Sequence, residues 1–148
     1  MTSPHHAAVP AEQVALTSDE TTFASLAHFL QLVTWIFGPL IIYALKRQSP
    51  FVAFHALQAV FLQIAYTVFV FFSVLVMFVG MFTLLEPGKG PAAGTPALAI
   101  FFPLIWVIIM GAWALMLYLA IALGIKAARG QWAGYPVLGS WARNVVGA

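Results

Sequence analysis

The stretch S-P-F-V-A-F-H-A-L-Q-A-V-F-L-Q, Ser49 to Gln63, opens an uncharged run that continues to Leu85. At 100° per residue, Gln58 falls about 60° to one side of His55 and Gln63 about 80° to the other. One face of an otherwise apolar helix therefore carries three hydrogen-bonding side chains. In hydrocarbon such groups need partners. From Phe51 to Leu85 the run is about 52 Å long as one helix, well beyond a hydrocarbon core of about 30 Å. The polar residues sit at its start. The first turns are therefore expected at or above the interface, with Ile64 to Leu85 as the plain span.

The rest of the chain has the same character. Of its 148 residues, 63% are hydrophobic and 7% charged, with a mean hydropathy of +0.99. A soluble domain carries about 25% charged residues. A water-soluble core is excluded, and the partner implied is a lipid bilayer. The net charge of +2 gives no case for nucleic acid. Cysteine is absent, so disulfides, thiolate metal sites and cysteine nucleophiles are excluded.

Working outward, Phe23 to Leu45 is the next spanning candidate. Gly38-Pro39 interrupts it, and Pro39 should free the Trp35 carbonyl and kink the helix. Gln58 or Gln63 is then expected to satisfy that carbonyl, with His55 nearer Pro39. Leu98 to Ile125 is a third span. Ala120, Gly124 and Ala128 recur at intervals of four, a spacing that admits a close helix neighbour. Residues 1–22 read as a polar flexible tail, where His5 and His6 are candidate metal ligands. Ser18 is a weak helix cap there. Glu86 to Ala97 reads as a loop. Residues 130–148, with Trp132, Tyr135, Trp141 and Arg143, read as an interfacial segment.

The expected fold is thus an all-α integral membrane protein. It has a tail at 1–22 and a membrane domain at 23–148. Three transmembrane helices lie near 23–45, 51–85 and 98–125: a kinked first span, an over-long second and an interfacial C-terminal segment after the third. Lys46, Arg47, Lys126, Arg129 and Arg143 then share one side. The positive-inside rule makes that side cytoplasmic, with the N-terminus outside and the protein in the plasma (inner) membrane.

Catalytic signals are missing. No carboxylate lies inside a span, and no metalloprotease motif, nucleophile elbow or phosphate-binding glycine loop occurs. His28 and His55 are the candidates for a haem or a chlorophyll-type pigment. On a three-span layout they differ by roughly 18 Å in depth, too far for one metal ion, and no cofactor is expected.

Short pieces of the chain, in order, resemble the Tic-twenty-like family of small membrane proteins. These are Ala27-His28, then Gly38-Pro39-Leu40-Ile41 before Lys46. Ser49-Pro50-Phe51 follows, leading to His55, Gln58, Ala59 and Gln63; Ile125-Lys126-Ala127 with Gly130 and Tyr135-Pro136 complete the set. Phe61 stands where that family often has Asn. The resemblance covers bacterial proteins with a domain of unknown function and a chloroplast inner-envelope import component. It implies a part in protein translocation or complex assembly. The function expected first is a non-catalytic subunit packing on a larger membrane complex. An oligomeric translocation component and a pigment-binding subunit are the alternatives.

Overall fold

The computed structural model describes residues 16–84 and 95–147. Among these, five helices and no strand occur: α1 (Ser18–Thr34), α2 (Phe37–Lys46), α3 (Pro50–Leu84), α4 (Thr95–Ala128) and α5 (Leu138–Val146). His5, His6, most of the tail and residues 86–94 of the expected loop lie outside the described residues. α4 begins within the last residues of that loop.

α1 starts with a capping box. Thr17 Oγ1 accepts from the Glu20 N–H at 3.2 Å, and the Glu20 carboxylate accepts from the Thr17 N–H at 2.9 Å. The cap is thus Thr17, not Ser18. α1 stops at Thr34, and Trp35 turns the chain with φ 56° and ψ −133°, a conformation that costs a non-glycine residue energy. The indole helps hold it: Trp35 Nε1 donates to Thr67 Oγ1 at 3.2 Å.

From that turn α2 runs back along α1. Gly38 lies under Leu30 and Thr34. Ile42 packs with Ala27. Lys46 Nζ sits 4.4 Å from the centre of the Phe23 ring. Ser49 Oγ donates to Glu20 at 2.7 Å. The stretch expected to be one kinked span is therefore a helical hairpin. Pro39 is the third residue of α2, where its missing N–H has no intrahelical partner to lose. It frees no carbonyl.

α3 runs parallel to α1 and is enclosed on every side over Phe51–Val60. α1, α2 and α5 pack on that half, and the loop after α4 closes it. Beyond Gln63 α3 has no buried residue. α3 and α4 are the two described helices long and apolar enough to cross a membrane. α4 returns antiparallel, with Gly80 beneath the Phe101 ring at one end and Ala127 against Ala24 and Phe51 at the other.

The small-residue face of α4 is used within the chain. A side chain at Gly124 would strike the Phe29 ring at 2.9 Å. Ala120, Gly124 and Ala127 are buried, whereas Ala128 is exposed. The buried stripe is therefore 120, 124, 127, the helical repeat of 3.6 overtaking a strict interval of four. α5 buries Gly139 and Ala142 and exposes Trp141 and Val145.

Candidate functional site

The buried half of α3 presents its polar stripe to two neighbours at once, α1 and the loop at 130–137. Chemistry fixes the proton positions. His55 Nε2 lies 3.1 Å from the Gln131 carbonyl oxygen, which can only accept, so that nitrogen carries the hydrogen. The Nδ1 of neutral His55 is then an acceptor. It lies 3.1 Å from His28 Nε2, which must donate. His28 Nδ1 is left with a bare lone pair. It is buried and unpartnered.

Gln58 grips the same loop with both ends of its amide. Its Nε2 donates to the Ala133 carbonyl at 3.4 Å, and its Oε1 accepts from the Tyr135 N–H at 3.0 Å. Gln63 serves the hairpin instead, donating to the Gln31 carbonyl at 2.7 Å. That carbonyl lies in the last turn of α1, where helix ends leave acceptors short of donors. Aromatic rings seal the clasp. Phe51 and Phe54 lie 4.7 and 5.1 Å from the His55 ring, and Trp132 covers both.

The structure thus brings His28, His55, Gln58 and Gln63 together. Trp35 joins them only at the hairpin tip, with Thr67, and Pro39 packs in α2 away from any freed carbonyl. The depth separation assigned to His28 and His55 does not exist, because α1 runs parallel beside α3 and the two rings meet at 3.1 Å. Each histidine spends a ring nitrogen on the other, which leaves no gap between them for a haem iron. Among the described residues no cluster of three or more His, Cys, Asp or Glu is placed to hold a metal ion.

Of the other participants, Gln131 carries no signal in the sequence. Gln31 follows His28 by three residues, and with Thr34 the spacing reads as a slanted polar row on one helix face. Tyr135 reads from sequence as a headgroup aromatic, yet it is buried, and burial pushes its phenol well above the ordinary range. It stays a neutral O–H. The hydroxyl lies toward the Gln31 amide, but neither group completes a hydrogen bond.

Two long lipid-grade helices, a short helical hairpin and a sealed core of neutral polar groups define a small helical membrane protein. Its interior works by hydrogen bonding, with no ion pair among the buried groups described. The MamF/MmsF family, described as the magnetosome magnetite crystal formation protein family, matches residues 19–142, and the chain belongs to it. That match overturns the Tic-twenty-like resemblance. The pieces behind it are short, and several have a local place here: Gly38 and Pro39 lie in the first turn of α2, Pro50 begins α3, and Lys46 and Lys126 sit in the last turns of α2 and α4. No curated protein and no solved structure matches the chain.

Proposed function

We propose that the protein is a non-catalytic scaffold of the magnetosome membrane that supports magnetite crystal formation by packing against other membrane subunits. One observation carries this reading: the far halves of α3 and α4 are left uncovered by the rest of the chain. Phe71, Phe72 and Phe82 on α3 and Ile100, Leu104 and Trp106 on α4 are all exposed there. Aromatic surface of this kind anchors helix–helix contacts as well as lipid. The polar groups inside are engaged in holding helices and a loop together.

On this reading the chain crosses the bilayer twice. α1 and α2 enter from one face and return to it, since Glu20 and Ser49 are bonded. Lys46, Arg47, Lys126, Arg129 and Arg143 then gather on the same face as Asp19 and Glu20. The basic excess makes that face cytoplasmic, with both helix-bearing ends of the chain on it. Single cysteines at Ser18 and Gln48 should react with an impermeant maleimide from the same side. Reaction from opposite sides would restore three spans.

The functional test is a deletion strain complemented with wild type or with Phe71→Ala/Phe72→Ala/Phe82→Ala. The deletion should give smaller or fewer crystals by electron microscopy. The triple variant should insert normally yet fail to restore crystal size or to co-purify with magnetosome membrane proteins. Full restoration by that variant, or substrate turnover by the purified chain, would refute the scaffold reading.

A further inference from the structure

The α1–α2 hairpin reaches only halfway along α3. Its tip is pinned by the Trp35 bond to Thr67, and Thr67 is the middle residue of the 35 in α3. The apolar part of α1, from Phe23 to Thr34, is about 17 Å long, and α2 is about 15 Å. Half of a hydrocarbon core is also about 15 Å. The hairpin therefore has the reach of one leaflet.

Its outer surface belongs in that leaflet. No charged residue occurs from Phe23 to Leu45. The side chains turned away from the protein are apolar: Val33 is 85% exposed and Leu45 70%, with Phe37 and Ile41 exposed between them. A continuous apolar face of this kind needs cover, and position and charge say that acyl chains provide it. Lys46 and Arg47 stand at the open end of the hairpin. Trp132, packed on Phe51 and Phe54, and Trp141 on α5 are exposed at the same end. Basic and indole groups together mark a headgroup layer.

The other leaflet is different. α1 and α2 meet at the tip, and α5 packs on Phe54 and Leu57, near the start of α3. Among the described residues only α4 accompanies α3 beyond the tip, with Phe101 over Gly80. The basic half thus carries α1 to α4 side by side, with α5 and its loop at the surface, and the far half carries α3 and α4 alone. With each helix about 10–12 Å across, the cross-section roughly doubles from one leaflet to the other.

We propose that this taper makes the protein select curved membrane: its wide, basic end fits the convex leaflet of a small vesicle or bud, and its narrow end the concave one. On the convex side headgroups are spread apart. Inserted helices fill the gaps that spreading opens, as amphipathic lipid-packing sensors do. The partner surface is a bilayer of small radius, with no particular headgroup required. The inference rests on the two crossings proposed above. With the basic end cytoplasmic, the convex leaflet it fits is that of a vesicle or bud lying inside the cell.

The test uses the full-length protein with the single cysteine Gln48→Cys, in a chain that has no native cysteine. It is reconstituted into neutral phosphatidylcholine vesicles about 15 nm or about 100 nm in radius, which differ in outer-leaflet packing. An impermeant maleimide reads the fraction whose basic end faces outward. Both orientations should be equally populated in large vesicles, and the outward one should exceed the other severalfold in small ones. A chain lacking residues 2–15 should keep that bias. A bimane on Val33→Cys should be quenched by bromines near the acyl-chain ends and shielded from aqueous iodide. Equal orientation in both vesicle sizes, an inward excess, loss of the bias with the tail, or iodide quenching at Val33 would each overturn the proposal. The two crossings are judged separately, by labelling of Ser18→Cys and Gln48→Cys in cells. Opposite sides there sink both readings, whereas the same side there with no size dependence in vesicles sinks the taper alone. No readout depends on crystal growth, so the scaffold reading can fail while the taper stands.

Discussion

The bonding order at the histidine pair makes His28→Leu and His55→Leu unequal, although both side chains are fully buried and face each other. His55→Leu removes two hydrogen bonds, to the Gln131 carbonyl and to His28, each worth about 1 kcal/mol. It also strands the His28 Nε2–H, a buried donor, at about 1–3 kcal/mol. The total is about 3–5 kcal/mol. His28→Leu loses one bond and leaves the His55 Nδ1 lone pair empty. It also removes a ring whose other nitrogen is already buried without a partner, which returns about 1–3 kcal/mol. The emptied His55 Nδ1 costs about as much as that return, so the net cost is that of the one lost bond, about 1 kcal/mol. Unfolding of delipidated protein in mixed micelles, followed by tryptophan fluorescence, should give that order. Imidazole ¹⁵N shifts should independently show His55 and His28 both protonated at Nε2. If His28→Leu costs as much as His55→Leu, or either ring carries its proton at Nδ1, the derivation of the clasp is wrong.

Other substitutions probe the same architecture. Gln58→Leu leaves the Tyr135 N–H buried and unpaired and should cost about 2–4 kcal/mol, with faster proteolysis of the 130–137 loop as a second readout. Gly134→Ala places a methyl 3.1 Å from both Gln58 Oε1 and the Gly139 Cα and should destabilise by about 1–3 kcal/mol. Gly111→Ala meets nothing within 4 Å and should stabilise by about 0.5–1 kcal/mol in the same unfolding assay. The Ser49 hydroxyl bonded to Glu20, helped by the Thr17 cap, lowers that carboxyl's pKa. A lowered carboxyl pKa contributes stability above the ordinary carboxylate range that is lost as pH falls through the folded value. Hydrogen exchange at the start of α1 should therefore rise below about pH 4, and Ser49→Ala should shift that rise toward higher pH.

Periodicity was enough to read the polar stripe on α3, because three side chains on one face is a local fact that the fold cannot undo. Hydropathy found the two long helices, each of which holds a long uncharged apolar stretch. The hairpin was not legible. Phe23 to Leu45 has the length and apolarity of a span, and composition does not distinguish one crossing from two shorter helices lying side by side. Gly38-Pro39 drew attention to a kink, whereas the chain reverses three residues earlier at Trp35, which carries no breaker signal. That misplacement set the depth of every α1 residue, and with it the apparent distance between His28 and His55. The capping box at Thr17-Ser18-Asp19-Glu20 was present in the sequence one residue before the cap chosen.

Apolar packing alone would hold the hairpin loosely in register, since α1, α2 and the outer surface of α3 offer similar aliphatic and aromatic side chains at many offsets. Four polar contacts tie it to α3 instead: Ser49 to Glu20, His28 to His55, Gln63 to the Gln31 carbonyl, and Trp35 to Thr67. They are spread from one end of α1 to the other. A slip of one turn, about 5.4 Å, breaks all four together and strands their buried members in an apolar surround. Each bond is modest, yet the set penalises every offset but one. Hydrogen bonds between membrane helices contribute on average about 0.6 kcal/mol, too little to explain this network as a source of stability. Its place is in selecting one arrangement, which predicts that replacing all four contacts with apolar residues leaves the chain helical and inserted while its cross-linking pattern between α1 and α3 becomes heterogeneous.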